Sequence, residues 1–311
     1  MSWTPEHFNP IAEQCGTADK CRYYISWIFS NECHAGCPYC MVGTSSTKYV
    51  PRKWSDQQAI FAWQQFHDDH GPASILFGGY EPGERLPLMS HVLTHHYGMM
   101  VTNFTFDEKI LFRLIPADRL ILHPSFHARL WGHDIRPFLQ KIAKVRAQGF
   151  SVPVVSIACW PPDFKHIEGW RDAVLAEGVH TNIHPLYGTS YQGRKLPDEY
   201  TDQEREDMHR FVNPFIYEDR VDCKPLEITA CAAGHAAGGI TMDGHFARCV
   251  QITEPMCDFM GGEHVKFWDE PRPCPAARCM CGNMGCFHVT QEVEQDGDRD
   301  ADHHVQRVPV D

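Results

Sequence analysis

Three cysteines crowd one short run, Asn31-Glu32-Cys33-His34-Ala35-Gly36-Cys37-Pro38-Tyr39-Cys40. Three thiolates on a single loop can bind a cubane iron–sulfur cluster through three of its irons. The fourth iron then stays open to chelate the amino and carboxylate groups of a ligand. The same spacing also suits a zinc site completed by His34 or by a distant residue. A second group of thiols lies far downstream. Cys231, Gly244 and Cys249 mark its start, Cys274, Cys279, Cys281 and Cys286 follow, and Cys223 and Cys257 flank them. Local spacing there is compatible with a structural zinc ribbon as well as with iron and sulfur.

Composition favours metal over disulfides. The chain has 14 cysteines, and its start, MSWTPEHFNP, lacks the basic and apolar regions of a signal peptide. In a reducing cytosol such thiols stay free to bind metal. No window approaches the roughly 18 consecutive apolar residues of a membrane span, so a cytoplasmic protein without a membrane partner is expected. The formal net charge of −12 argues against a broad electrostatic grip on nucleic acid or anionic lipid. Cys159 ends the apolar run that starts at Val152 and reads as a small buried core residue. Sequence assigns no role to Cys15 or Cys21.

The elements that must position these groups alternate in type. Six strands are expected, at Tyr23 to Phe29, Ala73 to Phe77, Met99 to Thr102, Arg119 to His123, Val152 to Cys159 and Val179 to His184. Helical periods lie between them, beginning at Ser55, where Ser55 and Gln58 form a capping box and Ala59, Ile60, Trp63 and Phe66 make one apolar face. Gly149 and Gly178 are natural stops for two later helices. Strict alternation implies parallel strands joined by right-handed crossovers, and six such units imply a partial (β/α)6 TIM-like barrel. In such folds the chemistry gathers on loops after the strand C-terminal ends. The first cysteine run follows strand one, and Gly78-Gly79-Tyr80-Glu81-Pro82 follows strand two, so both face one mouth.

After a helix near Asp202 to Phe211, capped by Thr201 with Glu204, the alternation stops. A small cysteine-rich segment begins, with a hairpin expected at Ile240 to Met242, an Asp243-Gly244 turn, and His245 to Cys249. It has too little apolar sequence to hold itself without metal. The organisation expected is an extension over 1–22, a barrel over 23–215, the cysteine-rich segment over 216–290 and an acidic, disordered tail over 291–311.

Together these motifs resemble the radical S-adenosylmethionine superfamily. Its C-x3-C-x-aromatic-C signature is matched by Cys33, Cys37, Tyr39 and Cys40, and its Gly-Gly-Glu-Pro turn resembles Gly78-Gly79-Tyr80-Glu81-Pro82, with Tyr80 as an extra residue. The resemblance implies a [4Fe–4S] cluster on the three cysteines and S-adenosylmethionine on its open iron. Tyr39 would lie beside the adenine, and either Glu81 or the Gly78-Gly79 backbone would meet the methionyl amine. One electron from an external donor such as a flavodoxin or ferredoxin would cleave the cofactor to a 5′-deoxyadenosyl radical. Asn103, Ser156 and Asn182 are candidates for further cofactor contacts.

The downstream cysteines resemble the SPASM and twitch extensions of that superfamily, whose opening C-x9–15-G-x4-C is met by Cys231, Gly244 and Cys249. The run from Cys274 reads C-x4-C-x-C-x4-C, unlike the longer SPASM form. At least one auxiliary [4Fe–4S] cluster is implied, on Cys231, Cys249 and two of Cys274, Cys279, Cys281 and Cys286; eight thiols leave a second open. His123, His127 and His184 fall at or beyond the ends of strands four and six, where hydrogen bonding or proton transfer to substrate is expected. A small polar substrate leads and a peptide substrate follows. A zinc-stabilised binding protein is the reading from another class.

Overall fold

The computed structural model describes residues 21–30, 33–40, 52–186, 189–214, 217–218, 221–222, 230–250, 252, 254–274 and 288–289. Cys15, Cys223, Cys279, Cys281, Cys286, most of the expected N-terminal extension and the acidic tail lie outside them.

Six strands run parallel: β1 (Tyr23–Ser30), β2 (Ala73–Gly79), β3 (Tyr97–Thr102), β4 (Leu120–Phe126), β5 (Val154–Cys159) and β6 (His180–Pro185). Helices separate them: α1 (Asp56–His70), α2 (Leu86–Val92), α3 (Glu108–Leu114), α4 (Ile135–Ala147) and α5 (Phe164–Ala176). This is the expected partial-barrel order, with β1 to β6 as consecutive neighbours. A small ribbon of β7 (Thr189–Tyr191) and β8 (Arg194–Leu196) precedes α6 (Asp202–His209).

Local chemistry sets these elements. Ser55 accepts from the Gln58 amide at 3.2 Å, and the Gln58 side chain accepts from the Ser55 amide at 2.9 Å, so both halves of the capping box start α1. Thr201 and Glu204 start α6 in the same way. Gly149 and Gly178 follow α4 and α5 at φ +87° and +68°, which side-chain-bearing residues rarely adopt.

Alternation along the strands separates two apolar layers. Ile25, Trp27, Ile75, Phe77, Leu122 and Ile157 face the helices and pack with Trp63, Phe138 and Ile167. Tyr24, Leu76, Met99 and Ile121 point to the opposite, inner face. His96 ties the helical layer together: its Nδ1 accepts from the Ala73 amide at 3.0 Å and its Nε2 donates to the Trp63 carbonyl at 3.1 Å. Burial drives its pKa down to about 3, so the imidazole is neutral.

The hairpin lies close to its expected place, as β10 (Ala237–Ile240) and β11 (Phe246–Ala247) around a turn holding Gly244 at φ +96°. Its context was not foreseen. β10 pairs in parallel with β1, Tyr24 opposite Ala237 and Trp27 opposite Ile240, and β12 (Pro255–Cys257) adds beyond β11. One nine-stranded sheet therefore runs β12-β11-β10-β1-β2-β3-β4-β5-β6. The segment also grips α1 and β1 directly. Trp54 Nε1 donates to the Met242 carbonyl, Gln65 to the Gly262 carbonyl, and Phe267 stacks on Tyr23 with ring centres 4.0 Å apart. The two-residue strands β9 (Ala230–Cys231) and β13 (His288–Val289) pair separately. No described helix is long and apolar enough to cross a membrane.

Candidate iron–sulfur and cofactor site

The cysteine loop after β1, the glycine turn after β2 and His127 beyond β4 lie at strand C-terminal ends. His123, expected to end its strand, sits instead in the middle of β4 because that strand runs on to Phe126, and Ser156 and Asn182 lie inside β5 and β6. The loop after β1 holds Cys33, Cys37 and Cys40, all half-buried, near enough for their charges to oppose one another. Burial, then the neighbouring Cys40 and Cys33, push the Cys37 thiol up to about 11, while the Arg129 guanidinium works the other way. Burial likewise raises Cys33. Thiols in such surroundings lose their protons when a metal supplies the compensating charge. Cys33 Sγ accepts from the Ala35 amide at 3.4 Å and from Asn103 Nδ2 at 3.6 Å, the kind of donor that steadies a metal-bound thiolate.

His34 turns away from these sulfurs. Its Nδ1 pairs with Glu84 at 2.5 Å and its Nε2 with Thr105 Oγ1 at 3.0 Å, so both ring nitrogens are engaged. Among the described residues no three ligating side chains converge on a single ion position. A cubane spreads its thiolates over separate irons, so its ligands stand further apart than those of one ion. With His34 engaged elsewhere, the loop offers three thiols, the number that three irons of a cubane take.

Beyond β2, Gly79 has φ +118°, a conformation that favours glycine and lets backbone approach a ligand closely. Glu81 is fully buried. Its Oε1 accepts from the Gly83 amide at 2.8 Å and from Thr102 Oγ1 at 2.5 Å, and its Oε2 from the Asn103 amide at 2.6 Å. Burial raises its pKa and these three donors oppose the rise. Glu81 thus locks the turn after β2 to the end of β3, and Asn103 carries that link on to Cys33. Thr102, Thr105 and Glu84 belong to this network and were not singled out from sequence; the Asn103-x-Thr105 turn, with the Asn103 side chain accepting from the Thr105 amide at 3.0 Å, was its one local signal.

Tyr39 is buried, with its ring stacked on His127 and tilted against Trp160, centres 5.7 and 5.2 Å apart. Its hydroxyl meets His127 Nδ1 at 3.0 Å. Deeper along the inner face, Ser156 Oγ lies 2.9 Å from His123 Nε2 and 3.2 Å from His184 Nε2. Asn182 sits opposite Ser156 in the β5–β6 register, and its Oδ1 is buried without a partner among the described residues. Burial lowers His123 and His127 to about 4, so both are neutral. A single Ser156 proton cannot serve two imidazoles, so one histidine donates to it and the other can accept. The three histidines thus join the mouth, although from sequence they were linked only by position. A separate cavity of about 270 Å³, lined by Trp63, His91, His95 and His96, lies on the helical side and is no part of this mouth.

Three downstream cysteines gather on the inner face. Cys231, Cys249 and Cys274 share an apolar cluster with Tyr24, Leu76 and Met99, and Cys21 joins the same cluster. The Ala233 and Ile252 amides donate to the sulfurs of Cys231 and Cys249 at 3.5 and 3.4 Å. Cys257 packs instead with the opposite, helix-side layer, and Cys159 is a fully buried core thiol as expected.

The fold is a partial (β/α)6 barrel with a C-terminal cysteine-bearing extension, and it is similar to the folds of proteins solved with AdoMet. Among solved structures, histidine-tagged anSMEcpe with bound AdoMet aligns at a TM-score of 0.51 and 14% identity, over 76% of this chain and 74% of that one. Native anSMEcpe with bound AdoMet and Kp18Cys peptide aligns at 0.50 and 16% identity, over 73% and 74%. BtrN in complex with AdoMet and 2-DOIA aligns at 0.36 and 12% identity, over 79% and 81%. No protein-family model and no curated protein matches the sequence.

Proposed function

We propose that the chain binds a [4Fe–4S] cluster on Cys33, Cys37 and Cys40 and uses S-adenosylmethionine for radical chemistry on a small polar substrate. The observation carrying this reading is the placement of those cysteines, the Gly78-Gly79 turn and Tyr39 around one mouth, in the fold of a protein solved with AdoMet. Cys33, Cys37 and Cys40 would hold the cluster, which with S-adenosylmethionine would supply one-electron reduction of the sulfonium and so radical hydrogen abstraction from substrate.

The chain's own residues orient and enclose. Gly78 and Gly79 offer backbone to the methionyl end, because the Glu81 carboxylate is engaged by Gly83, Thr102 and Asn103. Tyr39, with His127 and Trp160, forms an aromatic wall for the adenine. Asn182 offers its unpartnered oxygen to a cofactor donor. Ser156 with His123 and His184 forms a hydrogen-bonding surface suited to a hydroxyl, amide or amine of substrate, and the neutral His123 imidazole there can take up a proton. Residues 23–215 act as the barrel and 216–290 as the auxiliary segment, holding a second cluster on Cys231, Cys249 and Cys274 with a further ligand among Cys279, Cys281 and Cys286. An external reductant such as a flavodoxin or ferredoxin supplies the electron.

The test is anaerobic incubation of reconstituted protein with dithionite and S-adenosylmethionine. Wild type is expected to release 5′-deoxyadenosine, and Cys33→Ala/Cys37→Ala/Cys40→Ala to release none while retaining its auxiliary iron. Equal yield from the triple variant, or a colourless zinc protein from anaerobic purification, refutes the reading.

A further inference from the structure

Arg248 stands immediately before Cys249, and its side chain is buried, with 7% of the residue exposed. The guanidinium donates from Nη1 to the Pro273 carbonyl at 3.0 Å and from Nη2 to the Arg272 carbonyl at 3.3 Å, and it lies over the Trp268 ring, 4.9 Å from its centre. Arg272 presents a second guanidinium to the same ring at 4.3 Å. Among the described residues no carboxylate pairs with Arg248. A guanidinium keeps its charge at any pH the protein meets, and a buried charge without a counter-charge is costly. Among the described residues, the anions that the cysteines beside it can provide are thiolates. Cys249 is its neighbour in the chain, Cys274 follows the carbonyl it holds, and Cys231 lies within reach of its field.

We propose that Arg248 is the electrostatic partner of the auxiliary iron–sulfur site, its fixed charge favouring the more reduced state of a cluster held by Cys231, Cys249 and Cys274. The inference rests on the reading of those cysteines as cluster ligands. One-electron reduction adds one negative charge to the cluster, and no proton or bond need change at the arginine. In a site screened from water a nearby positive charge stabilises that added charge and raises the reduction potential. The site is thereby poised to accept electrons rather than to give them.

A purely mechanical role makes a different prediction. Cys231 and Arg272 exchange backbone hydrogen bonds at 2.9 and 3.2 Å, and Arg248 clamps the same stretch, so it also holds the cysteine loops together. The two roles separate in full-length, anaerobically reconstituted protein carrying Cys33→Ala/Cys37→Ala/Cys40→Ala, which leaves only auxiliary iron. Arg248, Arg248→Lys and Arg248→Gln forms are compared by iron content and by redox titration followed by electron paramagnetic resonance. Expected is retained iron, with the Gln form at least about tenfold more oxidised than the parent at a fixed potential, equivalent to about 59 mV for one electron. The Lys form should titrate near the parent. Iron lost from the Gln form alone also supports the proposal, because Lys keeps the charge. Equal potentials in all three forms, equal shifts in Lys and Gln, or iron lost from both overturn it. A parent form without iron refutes the auxiliary cluster itself, whereas loaded iron with an unmoved potential refutes only the role of Arg248.

Discussion

Glu81 shows how a buried carboxylate can tie the turn that carries it to a neighbouring strand end. Both of its carboxylate oxygens are occupied, by two backbone amides and one hydroxyl, in a fully buried setting. Replacement by Gln substitutes an NH2 for one acceptor oxygen and sets donor against donor. Leaving such a buried amide unsatisfied costs about 1 to 3 kcal/mol. Glu81→Gln is therefore expected to lower the unfolding free energy of iron-free protein in urea by that amount, and to weaken cluster retention by freeing Asn103 from Cys33. Unchanged stability with weakened S-adenosylmethionine binding would instead place the carboxylate against the ligand. The residue types of this network were legible in the motif. Its partners were not, because Thr102 and Asn103 lie more than twenty positions away, and single side-chain-to-backbone bonds between loops leave no periodic trace in sequence.

Among the elements, the barrel strands and helices were legible because each carries a strong period, a cap or a glycine stop, as α1 does from Ser55. β10 carried none of these. Its four residues, Ala237-Gly238-Gly239-Ile240, hold one large apolar side chain, so sequence marked a hairpin but not its edge-on pairing with β1. The small residues are what the packing demands. A Cβ on Gly238 would come within 2.1 Å of the Phe246 ring, which is fully buried, and one on Gly239 within 2.9 Å of the Val250 backbone. Gly238→Ala should thus overpack the β10–β11 layer and cost about 1 to 3 kcal/mol. Adding Phe246→Leu makes room, so the double variant should be less destabilised than the sum of the two single changes. Strict additivity in denaturant titrations would show that the clash relaxes elsewhere.

At the scale of the whole molecule, the alternation of strands and helices foretold the barrel, yet its continuation into the cysteine-rich segment changes how the chain should fold. The edge of β1 is not free: β10 occupies it, and β11 and β12 extend the sheet beyond. Phe246, Phe259, Met260 and Val265 join the same core layer as Trp27, Trp63 and Phe66. A chain ending at residue 222 would uncover the β1 backbone and the aromatic face of α1 together, an unpaired edge beside exposed apolar surface. That fragment is expected to aggregate or to unfold at lower denaturant than the full chain, even with Cys33, Cys37 and Cys40 intact. By the same contacts, iron-free full-length protein should unfold in one transition whether followed by tryptophan fluorescence or by far-ultraviolet circular dichroism. Two separated transitions, or a soluble 1–222 fragment of full stability, would show that the barrel stands alone and that the shared sheet contributes little. Coincident transitions would instead make the auxiliary segment part of the barrel's own core, so that damage at β10 reaches the cysteines at the end of β1 through one continuous sheet.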